Sequence, residues 1–125
     1  MLPFTIKFES GIPINEQVVY AVKRAIVVGR LKPGDTFPSV RKLSQELRIN
    51  PNTCHKVVAK LVEEKILEVH PGIGTVVSES YSASSQEKTE LMGKTIEPLV
   101  VEAMRLGMTK EELFQTITKQ WTKFK

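Results

Sequence analysis

The chain reads as mainly α with a small β-hairpin, and three observations predict that. Apolar residues recur at helical spacing in three successive stretches that end near Lys65. Two short strand-like runs then flank Pro71-Gly72-Ile73-Gly74, a turn by its chemistry. Two more helical patterns, around Met92–Leu106 and Leu113–Trp121, follow a serine-rich segment. At 125 residues the chain has room for one compact domain and an appendage.

Taken in order, Phe4–Phe8 alternates apolar and polar residues, as a short strand or an extended arm would. Ile12-Pro13 leads into a first helix, about Ile14–Gly29, lined by Ile14, Val18, Ala21, Ala25 and Val28 and stopped at Gly29. Leu31-Lys32-Pro33-Gly34-Asp35 is a turn, and Phe37 is expected over the core. Ser39 caps a second helix to about Leu47, with Val40, Leu43 and Leu47 inward. Arg48-Ile49 makes a tight turn into a third helix, about Asn50–Lys65. Asn50 is its cap and Pro51 its first residue, where the missing N–H costs nothing. Cys54, Val57, Val58, Leu61 and Val62 form its apolar stripe. Ile66–Val69 and Thr75–Ser78 are the hairpin strands. A helix-turn-helix followed by a hairpin is a winged helix-turn-helix domain, assigned to residues 1–78.

Composition bounds the function. With 41% hydrophobic and 26% charged residues the chain is a soluble globular protein by type. Its net charge of +4 permits an anionic partner. Between Ser39 and Lys60 five cations, Arg41, Lys42, Arg48, Lys56 and Lys60, face one acid, Glu46, and the remainder is nearly balanced. That clustering is the footprint of a nucleic-acid-binding face. One cysteine cannot form an internal disulfide, and no apolar run reaches membrane-spanning length. The amino terminus lacks a secretory apolar core, so the expected location is cytoplasmic, with no membrane partner. Two histidines and one cysteine lack metal-ligand spacing, and no nucleophile elbow, P-loop or dinucleotide fingerprint occurs. No enzyme activity, cofactor or metal is expected. Cys54, on the core stripe, is expected to pack rather than to sense oxidants.

The third helix turns Asn52, Lys56, Lys60 and Glu63 away from its stripe, with Thr53 and His55 on the flanks. Amides, hydroxyls and cations towards a helix N-terminus suit base edges and phosphates in a major groove. On that stretch alone a solvated face is the simpler explanation. Arg41 and Lys42, however, sit in the first turn of the second helix, where cations oppose the macrodipole. A helix start that breaks a local rule, beside the Ser39 cap, has the makings of a phosphate clamp. His70 is either a phosphate contact or an exposed strand-end residue.

Residues 79–86 read as a polar, serine-rich linker. In the helical region 87–125, Met92, Ile96, Leu99, Ala103 and Leu106 have the spacing of a helix–helix seam. Pro98 should kink or restart that helix, and Gly107 should end it. Thr109-Lys110-Glu111-Glu112 is a capping box for a last helix whose apolar face is Leu113, Phe114, Ile117 and Trp121. Two helices cannot bury these stripes alone, so the region is expected to be a two-helix dimerisation tail; the alternative is that it folds back on its own winged domain. So short a tail can hardly enclose a small-molecule pocket; an effector remains possible but is not indicated.

The spaced motif Leu31-x-Pro33-Gly34-Asp35-x-Phe37-Pro38-Ser39-x-Arg41-x-Leu43-Ser44 resembles the signature of the GntR family of bacterial winged-helix repressors. So do Ile49-Asn50-Pro51-Asn52-Thr53 and Gly72-x-Gly74-Thr75-x-Val77, and the short tail is similar to the YtrA-like subfamily. The resemblance implies that Arg41 contacts DNA, that Asn50, Asn52, Thr53 and His55 touch bases and phosphates, and that Gly72 lets the wing backbone approach the minor groove. Three positions depart from the family pattern. Lys65 stands at the usual glycine after the third helix, the hairpin tip lacks a frequent Arg or Lys, and His55 replaces a common arginine. The expected function is a homodimeric, sequence-specific regulator of transcription, a repressor on an inverted-repeat operator in double-stranded DNA. The rival is a winged-helix module for protein contacts, which salt dependence of binding would separate.

Overall fold

The computed structural model describes residues 1–79 and 84–124. They fall into two compact units, Met1–Tyr81 and Ser82–Lys125. The first holds α1 (Ile14–Val27), α2 (Val40–Leu47), α3 (Pro51–Glu63), β1 (Leu67–His70) and β2 (Gly74–Val77). The second holds α4 (Ser85–Glu90), a π-helical stretch (Leu91–Ile96), α5 (Glu97–Arg105) and α6 (Lys110–Lys123).

The core of the first unit joins Val18, Val22 and Ala25 of α1, Leu43 of α2, Cys54, Val57 and Leu61 of α3, and Leu67 and Val77 of the hairpin. Burying each large side chain contributes about 1.5–3 kcal/mol. Val22 is fully buried whereas Ile14 is exposed, so the inward face of α1 is Val18-Ala21-Val22-Ala25. Val18, Ala21 and Ala25 of the expected stripe are on it and Val22 joins them, whereas Ile14 is the first helical residue and lies beyond the edge of the core. The amino-terminal segment is an extended arm. Its Phe4 is buried and stacks on Phe37 with ring centroids 6.3 Å apart.

The turn motif before α2 does more than reverse the chain. Gly34 has φ +86, Asp35 accepts the Lys32 N–H, and the segment then bonds to β2 through Gly34 N–H to Val77 O, Phe37 N–H to Thr75 O and Val77 N–H to Asp35 O. This ties the hairpin to the start of α2. β1 and β2 are antiparallel, with Leu67 opposite Val77 and His70 opposite Gly74. Each strand is set one residue from the expected position, because Ile66 spends its N–H on the end of α3.

Three helices end in the same Schellman arrangement. Arg30 N–H bonds Ala25 O, Ile66 N–H bonds Leu61 O, and Met108 N–H bonds Ala103 O. The residue in the left-handed conformation is Gly29 after α1 and Gly107 after α5, but Lys65 after α3, at φ +62. The departure at Lys65 therefore leaves the cap geometry intact and places a side chain where glycine is free of cost.

In the second unit the helix starts earlier than the linker reading of 79–86 allows. Ser84 and Glu87 form a reciprocal capping box, so Ser85 and Gln86 are helical. The rest of that segment, 80–83, lies outside the described residues. Before Pro98 the chain widens into the π-helical stretch, and α5 restarts with the proline in its first turn. A π-helix winds more slowly than an α-helix, so the seam does not run straight through Met92 and Ile96. Thr109 caps α6 by accepting the Glu112 N–H at 3.1 Å.

Candidate nucleic-acid interface

The site is built from α2, the turn after it, and α3. Ser39 Oγ accepts the Lys42 N–H at 3.2 Å, and Asn50 Oδ1 accepts the Asn52 N–H at 2.8 Å. Both helices therefore begin at defined residues. Their separation is set by the turn: Arg48 takes the left-handed conformation at φ +55, and Ser44 Oγ donates to Ile49 O at 2.8 Å. Leu43, Cys54, Val57 and Leu61 anchor the inner faces, so the outer faces are presented together.

On those outer faces Arg41, Lys42, Asn50, Asn52, His55, Lys56 and Lys60 are exposed, as is Ser39, while Thr53 is half-buried. Among the described residues, none of Arg41, Lys42, Arg48, Lys56 and Lys60 makes an ion pair. The lone acid of this stretch, Glu46, is held instead by the Met1 ammonium at 3.0 Å. Lys23 of α1 takes Glu64 at 3.1 Å, beyond the C-terminal end of α3. Five unneutralised cations beside exposed amides and a hydroxyl form a surface suited to a polyanion. Arg48, counted in the charge cluster but given no contact role by sequence, belongs to this set by position. Its signal is its place in the turn itself.

The hairpin differs. His70 Nε2 lies 3.1 Å from Glu68 Oε2, and Ser78 Oγ donates to Glu68 Oε1 at 2.9 Å. These partners hold the Glu68 carboxyl below its ordinary range, His70 first and Ser78 second. His70 is thus the last residue of β1, with a carboxylate at its side. Gly72 sits at φ +80 with nothing within 4 Å of where a Cβ would stand, so backbone is accessible at the tip. Cys54 is buried, and burial pushes its thiol up from the ordinary value. Its place on the inner stripe is that of a packing residue.

The expected dimer residues lie in the second unit. Met92, Ile96, Leu99, Leu106, Ile117 and Trp121 keep 40–68% of their surface exposed, Leu113 is half-buried, and Ala103 is buried. Leu91, Val100, Val101, Met104 and Phe114 are exposed as well, so the apolar surface is wider than the seam. No described helix is long and apolar enough to cross a membrane.

A three-helix unit with a helix-turn-helix and a two-stranded wing, carrying this cationic face, is a winged-helix DNA-binding domain. Residues 14–77 match the family model of the bacterial regulatory proteins of the gntR family, and the chain belongs to that family. It is 35% identical to the HTH-type transcriptional repressor YtrA of Bacillus subtilis, over 86% of this chain and 84% of YtrA. It is 32% identical to the HTH-type transcriptional regulator YhcF of the same organism, over 89% and 92%. Among solved structures it is similar to a GntR family transcriptional regulator from Listeria monocytogenes, with a TM-score of 0.70 at 29% identity, over 90% of this chain and 98% of that one. The chain is a GntR-family transcriptional regulator with a DNA-binding helix-turn-helix, in a family of regulators rather than enzymes.

Proposed function

We propose that the chain is a repressor that binds an inverted-repeat operator as a homodimer. Residues of the tail join two winged units, and each α3 reads one half-site. The observation that carries the DNA face is the set of unpaired cations on α2, α3 and their turn. Ser39, Arg41, Lys42, Lys56 and Lys60 hold phosphates, and Asn50, Asn52, Thr53 and His55 sample base edges and the adjoining backbone. The wing approaches at Gly72, with His70 behind it. Dimerisation rests on the exposed apolar faces of α5 and α6, which a single chain leaves wet. Repression follows the similarity to YtrA, a repressor by name. A regulator of this kind works where the DNA is, in the cytoplasm.

Selection of the full-length protein on random duplex DNA, repeated at two salt concentrations, tests the proposal. A palindromic site whose affinity falls steeply with salt is the expected result. Recovery of no preferred sequence, or an affinity indifferent to salt, overturns it and favours a protein-contact module.

A further inference from the structure

The hairpin Leu67–Val77 contains no lysine or arginine, and its one acid is Glu68. Glu68 and His70 share one face and bind each other there. On the other face Leu67 and Val77 cover the core, and the same row continues outward to Val69, which is 62% exposed. At the tip, Ile73 N–H bonds His70 O at 3.0 Å across Pro71-Gly72, and the Ile73 side chain is 68% exposed. An element with a formal charge of −1 is not drawn to phosphates. What it offers a duplex is apolar side chain and bare backbone.

Its position makes the duplex the occupant. Ser78 N–H bonds Ile66 O at the root of the hairpin, and Phe37 N–H bonds Thr75 O nearer its tip, so the hairpin stands beside the start of α2, where Arg41 and Lys42 are exposed. The tip is thus an extension of the helix-turn-helix that binds DNA in this family. We infer that Ile73 is a specificity-determining residue, an apolar wedge in the minor groove beside the half-site read by α3. In that groove A·T pairs show only acceptors at the edges, whereas a G·C pair raises the guanine N2 amino group. A side chain such as isoleucine leaves that donor unpaired and stripped of water, so the wedge disfavours G·C beneath it. The contact is uncharged, so it adds base preference without adding to the salt dependence.

The inference rests on the DNA-binding reading, and its test keeps the two apart. The full-length protein is titrated with its selected operator, in which each base pair flanking the major-groove half-site is placed in turn as A·T, G·C or inosine·cytosine. Inosine keeps the major-groove face of guanine but lacks the N2 amino group. At one flanking position the wild type is expected to bind A·T and inosine·cytosine alike, about tenfold more tightly than G·C. Ile73→Ala should reduce that ratio to about twofold or less and leave the salt slope unchanged. A wild type blind to inosine at every flank, or an Ile73→Ala protein that keeps the tenfold ratio, overturns the inference. So does a wing that proves to hold a protein partner while Ile73→Ala leaves DNA binding untouched. Arg41→Ala is the separate arm. If it fails to weaken binding the DNA face is wrong, whereas weakening there with no change at Ile73 sinks the wedge alone.

Discussion

The two units of this chain use apolar residues in opposite ways. In Met1–Tyr81 a core forms: Val22, Leu43, Val57 and Leu61 are fully buried, and α2 and α3 present a cationic ridge outside it. In Ser82–Lys125 they stay out, and among the described residues only the small Ala103 is buried while Trp121 is 68% exposed. The first unit therefore has a core of its own, and the proposed DNA face is mostly what it leaves polar. The second holds helical segments by local means, through the caps at Ser84 and Thr109 and the Schellman turn at Gly107. Caps of that kind contribute about 1 kcal/mol each, too little to stand in for a core. Its apolar faces are the unfinished part of the molecule.

Truncation separates the units most sharply. Leu61→Ala should destabilise the first unit by about 2–5 kcal/mol in chemical denaturation, because it opens a cavity among residues that cannot collapse. Trp121→Ala removes more side chain, yet should leave the same unfolding transition within about 0.5 kcal/mol at concentrations where the chain is monomeric. Equal losses at the two sites would show that α6 is packed against a core after all.

A smaller effect is expected from charge. Leu99→Asp with Ile117→Asp should make the protein a monomer in sedimentation and lower operator affinity about a hundredfold, because the two half-sites are no longer bound as one, with the first unit's stability unchanged. A variant that stays dimeric would remove the tail from the dimer contact. Smallest is Lys65→Gly. Relief of the left-handed lysine should stabilise the first unit by about 1 kcal/mol, partly offset by the greater freedom of glycine when unfolded. A destabilised variant would mean that the Lys65 side chain contributes something the backbone does not explain.

Most of the helix-turn-helix is legible in the sequence because its determinants are local. Ser39 and Asn50 are caps whose bonds close within three residues, and the stripe of α3 has one phase from Cys54 to Val62. What escapes depends on partners far along the chain or on competing readings of one composition. Periodicity finds Val18, Ala21 and Ala25 of α1 but also turns Ile14 inward and leaves Val22 out, because where the core ends is decided by the rest of the fold. The bonding of the Gly34–Phe37 turn to β2 needs residues some forty positions apart. Ser84-Ser85-Gln86-Glu87 carries a capping box in plain view, but the surrounding serines read as linker. The π-helical stretch before Pro98 has no simple period to detect. For the candidate site, the cations are visible as a cluster, whereas their freedom from ion pairs, and the engagement of Glu46 by the amino terminus, require the fold.

The most direct measurement is the affinity of the Arg41→Ala, Lys56→Ala double variant for the selected operator as a function of salt. The variant should bind more weakly, and its slope of log affinity against log salt should be shallower by about 4, one for each phosphate that the two protomers together no longer neutralise. A wild-type affinity with a wild-type slope would mean that α2 and α3 do not meet the DNA through this face.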